Sequence, residues 1–270
     1  MIESNITHKS WKAAFNAFKN PRVFSIVFLG FSAGLPILLI FSTMSVWLRE
    51  AEVARATISF FSWAALGYAF KFVWAPIIDK LPVPFLSSKL GLRRSWLLIA
   101  QLGIILSLIL IGSNNPATNL QFTALFAVFL GFSSATQDIV IDAYRIEATN
   151  KALQGMMSSS YILGYRLGML VAGAGALEIV AWFDSVKSYT FLAWSYTYYI
   201  MSLFMFIGVF TTLLINEPKI NLSQEKKQLI PFHDYLRFFM TFCIIILAIY
   251  FWFAITQETV EDIKSKLHVY

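Results

Sequence analysis

The sequence predicts an all-α polytopic membrane protein, and three observations carry that prediction. Of its 270 residues, 58% are hydrophobic and only 13% charged, whereas a soluble domain carries about 25% charged residues. The apolar residues gather into seven runs, most of them close to the roughly 20 residues a bilayer-spanning helix needs. None of the runs breaks into the alternating segments of about ten residues that membrane β-strands show.

The runs follow one another in simple order. Residues 1–22 are a polar, basic N-terminus without the apolar stretch or small-residue cleavage site of a signal peptide. Val23–Trp47 is the first run, Ala56–Ile78 the second and Ser95–Ile111, the shortest, the third. Leu120–Ile141, Met156–Phe183 and Tyr189–Ile215 follow, so residues 23–215 form a unit of six predicted spans. Glycine and proline inside several of them suit membrane helices. A polar loop, 216–234, leads to a seventh span, Tyr235–Thr256, and a charged tail, 257–270. Cys243 is the single cysteine, so no intrachain disulfide can form. It reads as a small residue facing lipid or the bundle.

The net charge of +6 is explained by topology rather than by nucleic acid. Lys9, Lys12, Lys19, Arg22, Lys80, Lys89, Arg93, Arg94, Arg145, Lys151, Lys219, Lys226, Lys227 and Arg237 all fall on one side of the seven-span arrangement. That is 14 of the 21 basic residues. Cytoplasmic loops concentrate Lys and Arg, so the N-terminus and the 216–234 loop are expected in the cytoplasm and the tail outside.

Two short stretches repeat. Val27-Phe28-Leu29-Gly30-Phe31-Ser32 recurs at 128–133, and Leu66-Gly67-Tyr68 recurs at 163–165. The first pair relates the first and fourth spans, the second pair the second and fifth. These spans run in opposite directions, so the repeat is inverted. Three-plus-three inverted repeats are typical of secondary transporters.

Polar residues inside the spans are the candidate functional groups. A charged side chain at a helix centre costs about 2.5–3.5 kcal/mol on insertion scales, so it faces a cavity or a partner. Lys71, Asp138, Arg166 and Glu178 are such residues. Asp138 and Asp142 are four apart and share a helix face, with Gln137 beside them. If the fourth span ends near Asp142, Asp138 lies about 6 Å inside that end, and Lys71 about 10 Å from the same side. Arg166 falls near the midplane. Two readings stay open for Asp138: half of a structural ion pair, or a proton or substrate site. Lipid desolvation and a nearby cation pull a carboxylate's proton affinity in opposite directions, which suits a group that loads and releases a proton. The planar fork of Arg166 suits a carboxylate or sugar acid. Gly30/Gly34 and Gly164/Gly168 have the spacing of close helix contacts. The three histidines are far apart, and no phosphate loop, metal cluster or cofactor signature is present in the sequence. An enzyme is not expected.

Several stretches carry a family resemblance. Asp79-Lys80 followed by Gly91-Leu92-Arg93-Arg94 resembles the cytoplasmic loop of the major facilitators, Gly-x-x-x-Asp-Arg-x-Gly-Arg-Arg. Here Ala75 stands for the leading Gly, Lys80 for the first Arg, and Leu81–Leu90 is an insert. Residues 30–36, 70–79, 135–143 and 163–170 resemble one branch, the AmpG-type muropeptide permeases. The resemblance covers about residues 20–248. It implies a major facilitator N-terminal six-helix half, followed here by a seventh helix. It further implies proton-coupled import of anhydro-muropeptides, a small sugar-peptide solute, across a bacterial inner membrane. Asp79, Arg93 and Arg94 would form an intracellular gate, joined by Asp138 and Asp142 unless these carry the proton. Major facilitators bind substrate between two six-helix halves. The chain is therefore expected to be incomplete by itself, with a second copy or a separate second half forming the pore. The alternatives are a truncated, non-transporting remnant and a transporter of acetyl-CoA-like anions.

Overall fold

The computed structural model describes residues 20–54, 61, 65–149, 153–184 and 189–218, together with Arg237, Met240 and Ile244. Two units are separable, 1–219 and 220–270. In the second, Arg237, Met240 and Ile244 are helical; the rest of the predicted seventh span and tail lies outside the described residues.

Besides a short helix at Ser87–Leu90, the described residues of the first unit form six helices. They are α1 (Pro21–Glu50), α2 in two pieces (Ala65–Ala69 and Lys71–Lys80), α3 (Leu92–Ser113), α4 (Leu120–Glu147), α5 (Gln154–Phe183) and α6 (Phe191–Leu214). Among the described residues, five of these, all but α2, are long and apolar enough to cross a membrane. The predicted second span begins at Ala56, where most residues lie outside the described set. There is no strand among the described residues.

Several helices outrun their apolar sequences, and two of these extensions matter for the site. The third starts at Leu92 rather than Ser95, and the fourth continues to Glu147 rather than Ile141. Hydropathy ends at the first charges, but these charges are helical because they bind each other. This corrects the depths as well. Lys71 lies nine residues before Lys80, and Asp138 nine before Glu147, which puts each about 14 Å inside its helix end.

Local chemistry explains the ends and irregularities. The Asn20 side chain accepts the Arg22 N–H at 3.0 Å, and Pro21 opens α1, a favourable start because proline's missing donor is an orphan there anyway. Pro36 removes a donor from the helix ladder, and α1 widens into a π segment over Leu39–Thr43. The α5 helix widens likewise over Val171–Gly175. Widened turns leave carbonyls without their usual partners, and side chains fill them. Thr43 Oγ1 donates to the Ala172 carbonyl at 2.7 Å, and Tyr198 OH donates to the Leu39 carbonyl at 2.9 Å.

Apolar burial gives helices little net attraction in lipid, so close packing and interhelical hydrogen bonds decide the arrangement. The packing follows the inverted repeat. On α1 and α5, a Cβ at Gly30 or Gly34 would overlap the Tyr161 or Tyr165 carbonyl, and one at Gly164 or Gly168 would overlap the carbonyl of Val27 or Phe31. On α2 and α4, a Cβ at Gly67 would stand 2.9 Å from the Gly131 carbonyl carbon. Gly30 and Gly131 are repeat mates, as are Gly67 and Gly164. A third pair shows the same relation: Gly103 of α3 against Ser133 of α4, and Gly208 of α6 against Ser32 of α1.

The end where α1 starts, here the N-side, also holds the end of α2, the start of α3 and the ends of α4 and α6. At the opposite end, Trp194 Nε1 donates to Glu50 at 2.8 Å, and the Trp47 and Trp194 rings stack with centroids 5.6 Å apart.

Candidate functional site

Two groups of polar residues stand out, one at the N-side surface and one deeper. The surface group centres on Arg93, whose side chain is 4% exposed. Its Nε donates to Glu147 at 2.9 Å, its Nη2 donates to the other Glu147 oxygen, and its Nη1 donates to Asp79 at 2.6 Å. The paired bonds to Glu147 are the bidentate geometry a guanidinium favours. One buried cation thus joins the ends of α2, α3 and α4.

Arg94 and Glu217 complete this network. Glu217 accepts the backbone N–H groups of Arg93 at 2.7 Å and Arg94 at 3.1 Å, placing an anion at the start of α3 where the helix dipole favours one. Arg94 donates to the carbonyls of Thr212 at 3.0 Å and Leu213 at 2.6 Å, capping the end of α6 with a cation. Gly91 makes room for this: its φ is 90°, and a Cβ there would collide with the Glu217 carboxyl. Arg22 adds a bond to the Ala148 carbonyl just past α4.

The deeper group surrounds Asp138. This carboxylate is 8% exposed, and Tyr161 OH donates to its Oδ1 at 3.4 Å. The charges whose fields reach it belong to Lys71 and Asp142. Tyr68 and Tyr165 lie within electrostatic range as well. Tyr68 OH donates to Ser134 at 2.9 Å, and the Tyr161 and Tyr165 rings stand 5.7 Å apart. Asp138 thus bonds one tyrosine of α5, with two further tyrosines and a lysine of α2 and α5 within range of its charge.

The remaining candidates separate. Gln137 is fully buried toward α1, with Nε2 donating to Ser32 Oγ at 3.4 Å and no protein partner for its Oε1. Asp142 does not join the surface network as expected. It pairs at 3.1 Å with Arg145 on its own helix, and Arg145 lies 5.5 Å from the Tyr161 ring centre. The place expected for Asp142 is taken by Glu147, because α4 runs a turn and a half further than its apolar sequence. Arg166 does not pair with Asp138 either. It lies on the exposed face of α5 with Ile162, Leu163 and Leu167, its Nη1 3.8 Å from Met169 Sδ. Glu178 is exposed nearer the far end of α5. Among the described residues no cluster of His, Cys, Asp and Glu could hold a metal ion.

Sequence reasoning missed Glu147, Glu217 and the tyrosines. The spacing Asp138-x-x-x-Asp142 drew attention from Glu147, although Glu147 closes the same helix. Tyr68 and Tyr165 are the last residues of the repeated tripeptide, which was the available signal.

The model of the Major Facilitator Superfamily matches residues 26–262 of this chain. The chain belongs to the Major Facilitator Superfamily. Among curated relatives, a putative transporter AmpG 4 of Rickettsia felis is 36% identical over 203 residues, covering 75% of this chain and 47% of that protein. A putative transporter AmpG 4 of Rickettsia conorii is 33% identical over 245 residues, 87% of this chain and 57% of the relative. The anhydromuropeptide permease of Escherichia coli K12 is 35% identical over 201 residues, 74% of this chain and 38% of the permease. The chain spans about half the length of the curated relatives it matches. In this Major Facilitator Superfamily chain the loop from Asp79 to Arg94 is therefore the one that resembles the family's motif, with Lys80 and the 81–90 insert as its departures.

Proposed function

We propose that the six-helix bundle is one wall of a proton-coupled secondary transporter that imports anhydromuropeptide-type solutes across a bacterial inner membrane, N-side toward the cytoplasm. The observation that carries this reading is the Asp138 carboxylate, buried about 14 Å from the N-side end of α4, bonded by Tyr161 and within the field of Lys71. A charge in that position is costly unless it has a partner or a function. A proton arriving at Asp138 cancels its attraction for Lys71, and the freed ammonium can then engage an anionic group of the solute. Arg166, on the exposed face of α5, offers a second cation for a carboxylate. Loss of the proton to the cytoplasm restores the Asp138–Lys71 attraction and expels the anion.

The surface network is the gate in this reading. Glu147 is its fixed arm, because both carboxylate oxygens bind Arg93. Asp79 is the arm that opens, because it is half-exposed and makes one contact with Arg93. Facilitators bind solute between two halves, so the facing wall comes from six further helices.

Uptake of a radiolabelled anhydromuropeptide by proteoliposomes with an acidic exterior tests this. Residues 1–270 reconstituted with a separately produced second half should accumulate it, and the chain by itself should not. Uptake by the isolated chain at a twelve-helix relative's rate would replace the second half by a homodimer. No uptake in either preparation would remove the transport reading.

A further inference from the structure

The loop joining α2 to α3 turns two of its apolar side chains away from the protein. Phe85 is 90% exposed and Leu81 55%. Phe85 also has φ at 63°, in the left-handed region where a bulky aromatic residue is an outlier. Such strain persists only where the surroundings over-determine it, and here they do. The Leu86 N–H closes a tight turn on the Pro84 carbonyl at 2.7 Å, with Phe85 at its centre. The Val83 N–H donates to Ser87 Oγ at 2.8 Å, and Ser88 Oγ donates to the Phe85 carbonyl at 3.0 Å. Trp96 Nε1 donates to the Leu81 carbonyl at 2.9 Å. Glycine at position 85 would remove the strain, so a mere connector has no need of this residue.

The surroundings say what covers it. The loop links a helix ending at Lys80 to one starting at Leu92, so in a membrane-spanning bundle it sits at the bilayer boundary. The exposed Lys80 precedes it, and the exposed Lys89 lies near its end. Just inward, Trp74, Ile77, Trp96, Ile99 and Phe132 line an open apolar groove of about 410 Å³ between α2, α3 and α4. The Trp96 ring lines that groove while its Nε1 holds the loop. Aromatic rings favour the headgroup level of a bilayer, and lysines there attract anionic lipid.

We propose that residues 81–90 are an interfacial anchor for an anionic phospholipid of the N-side leaflet. Phe85 and Leu81 enter the boundary between headgroups and acyl chains. One acyl chain lies in the groove, and Lys80 and Lys89 hold the headgroup phosphate.

The test uses the full chain with Cys243→Ser, carrying a nitroxide at Phe85→Cys or Ser88→Cys, in nanodiscs of phosphatidylcholine and phosphatidylglycerol. Oxygen should relax the label at 85 more than a water-soluble nickel chelate does, and the label at 88 should show the reverse. In discs of phosphatidylcholine alone, or with Lys80→Gln/Lys89→Gln, the label at 85 should shift toward water. Nickel-dominated relaxation at 85 in the mixed discs would overturn the proposal. So would shielding from both reagents, which would mean a protein partner. A second variant, Phe85→Gly, relieves the strain. It should keep or raise the thermal midpoint in detergent yet lose the phosphatidylglycerol that copurifies with the chain; unchanged copurification would also overturn the proposal.

Discussion

Gly67 of α2 rests directly on the backbone of Gly131 in α4: a Cβ on Gly67 would stand 2.9 Å from the Gly131 carbonyl carbon. Its repeat mate Gly164 rests in the same way on α1, against the Val27 carbonyl and the Phe31 nitrogen. The two contacts are one helix crossing used twice, in opposite orientations. Gly67→Ala and Gly164→Ala should therefore both destabilise, each by about the 1–3 kcal/mol of an overpacked contact. Gly155 has nothing within 4 Å of a built Cβ. Gly155→Ala should stabilise by up to about 1 kcal/mol through helix propensity. Thermal midpoints of the three variants in one detergent decide this, and equal losses at 155 and 164 would contradict it.

The surface network predicts unequal arms. Glu147→Gln withdraws the bidentate partner of a buried cation, and breaking a buried pair costs about 3–5 kcal/mol when nothing compensates. Asp79 remains as a partial substitute, so the loss should fall at or below the lower end. Asp79→Asn breaks a half-exposed contact, where about 0–1 kcal/mol is usual. Detergent melting should rank Glu147→Gln well below Asp79→Asn, while transport by an active assembly should be slowed by both.

Gly91 separates two causes. Asparagine tolerates a positive φ better than alanine does, but either Cβ meets the Glu217 carboxyl. If the collision dominates, Gly91→Asn and Gly91→Ala should destabilise equally. A clear advantage for asparagine would instead assign the requirement to backbone conformation.

Orientation is checked by labelling. With Cys243→Ser as background, a cysteine at Ala117, exposed at the far end, should react with an impermeant thiol reagent in intact cells. A cysteine at Ser88 should react only after lysis. The reverse pattern would put the N-side outside.

Much of the fold was legible in the sequence because lipid imposes simple rules: five of the predicted spans are helices long enough to cross a membrane, and the repeated Gly-containing stretches are the crossings themselves. The ends were not legible, since hydropathy reports the apolar core and α3 and α4 extend beyond it to join Arg93 to Glu147. Of the site, Asp138, Gln137 and Lys71 were legible as polar residues in apolar runs. The separation of Arg166 from Asp138 was not, because it depends on which face α5 turns toward α1, and Gly164 and Gly168 fix that face.

The charge nearest in effect to Asp138 is that of Lys71, and rescue of a neutral variant tests it. If the carboxylate were only half of a structural pair, Asp138→Asn would strand Lys71, and Lys71→Gln added to it should restore expression. Arg166→Gln should not, because Arg166 lies on the exposed face. Restoration by Arg166→Gln would contradict the placement.

The account turns on Asp138 as the proton-carrying group, and one comparison reaches that claim directly: gradient-driven accumulation against solute exchange, for wild type and Asp138→Asn, in proteoliposomes of an active assembly. Asparagine can still hydrogen-bond Tyr161 but cannot take up a proton. The variant should lose accumulation of the anhydromuropeptide under an acidic exterior while retaining part of its exchange of preloaded solute. Accumulation at the wild-type level by Asp138→Asn would contradict the account.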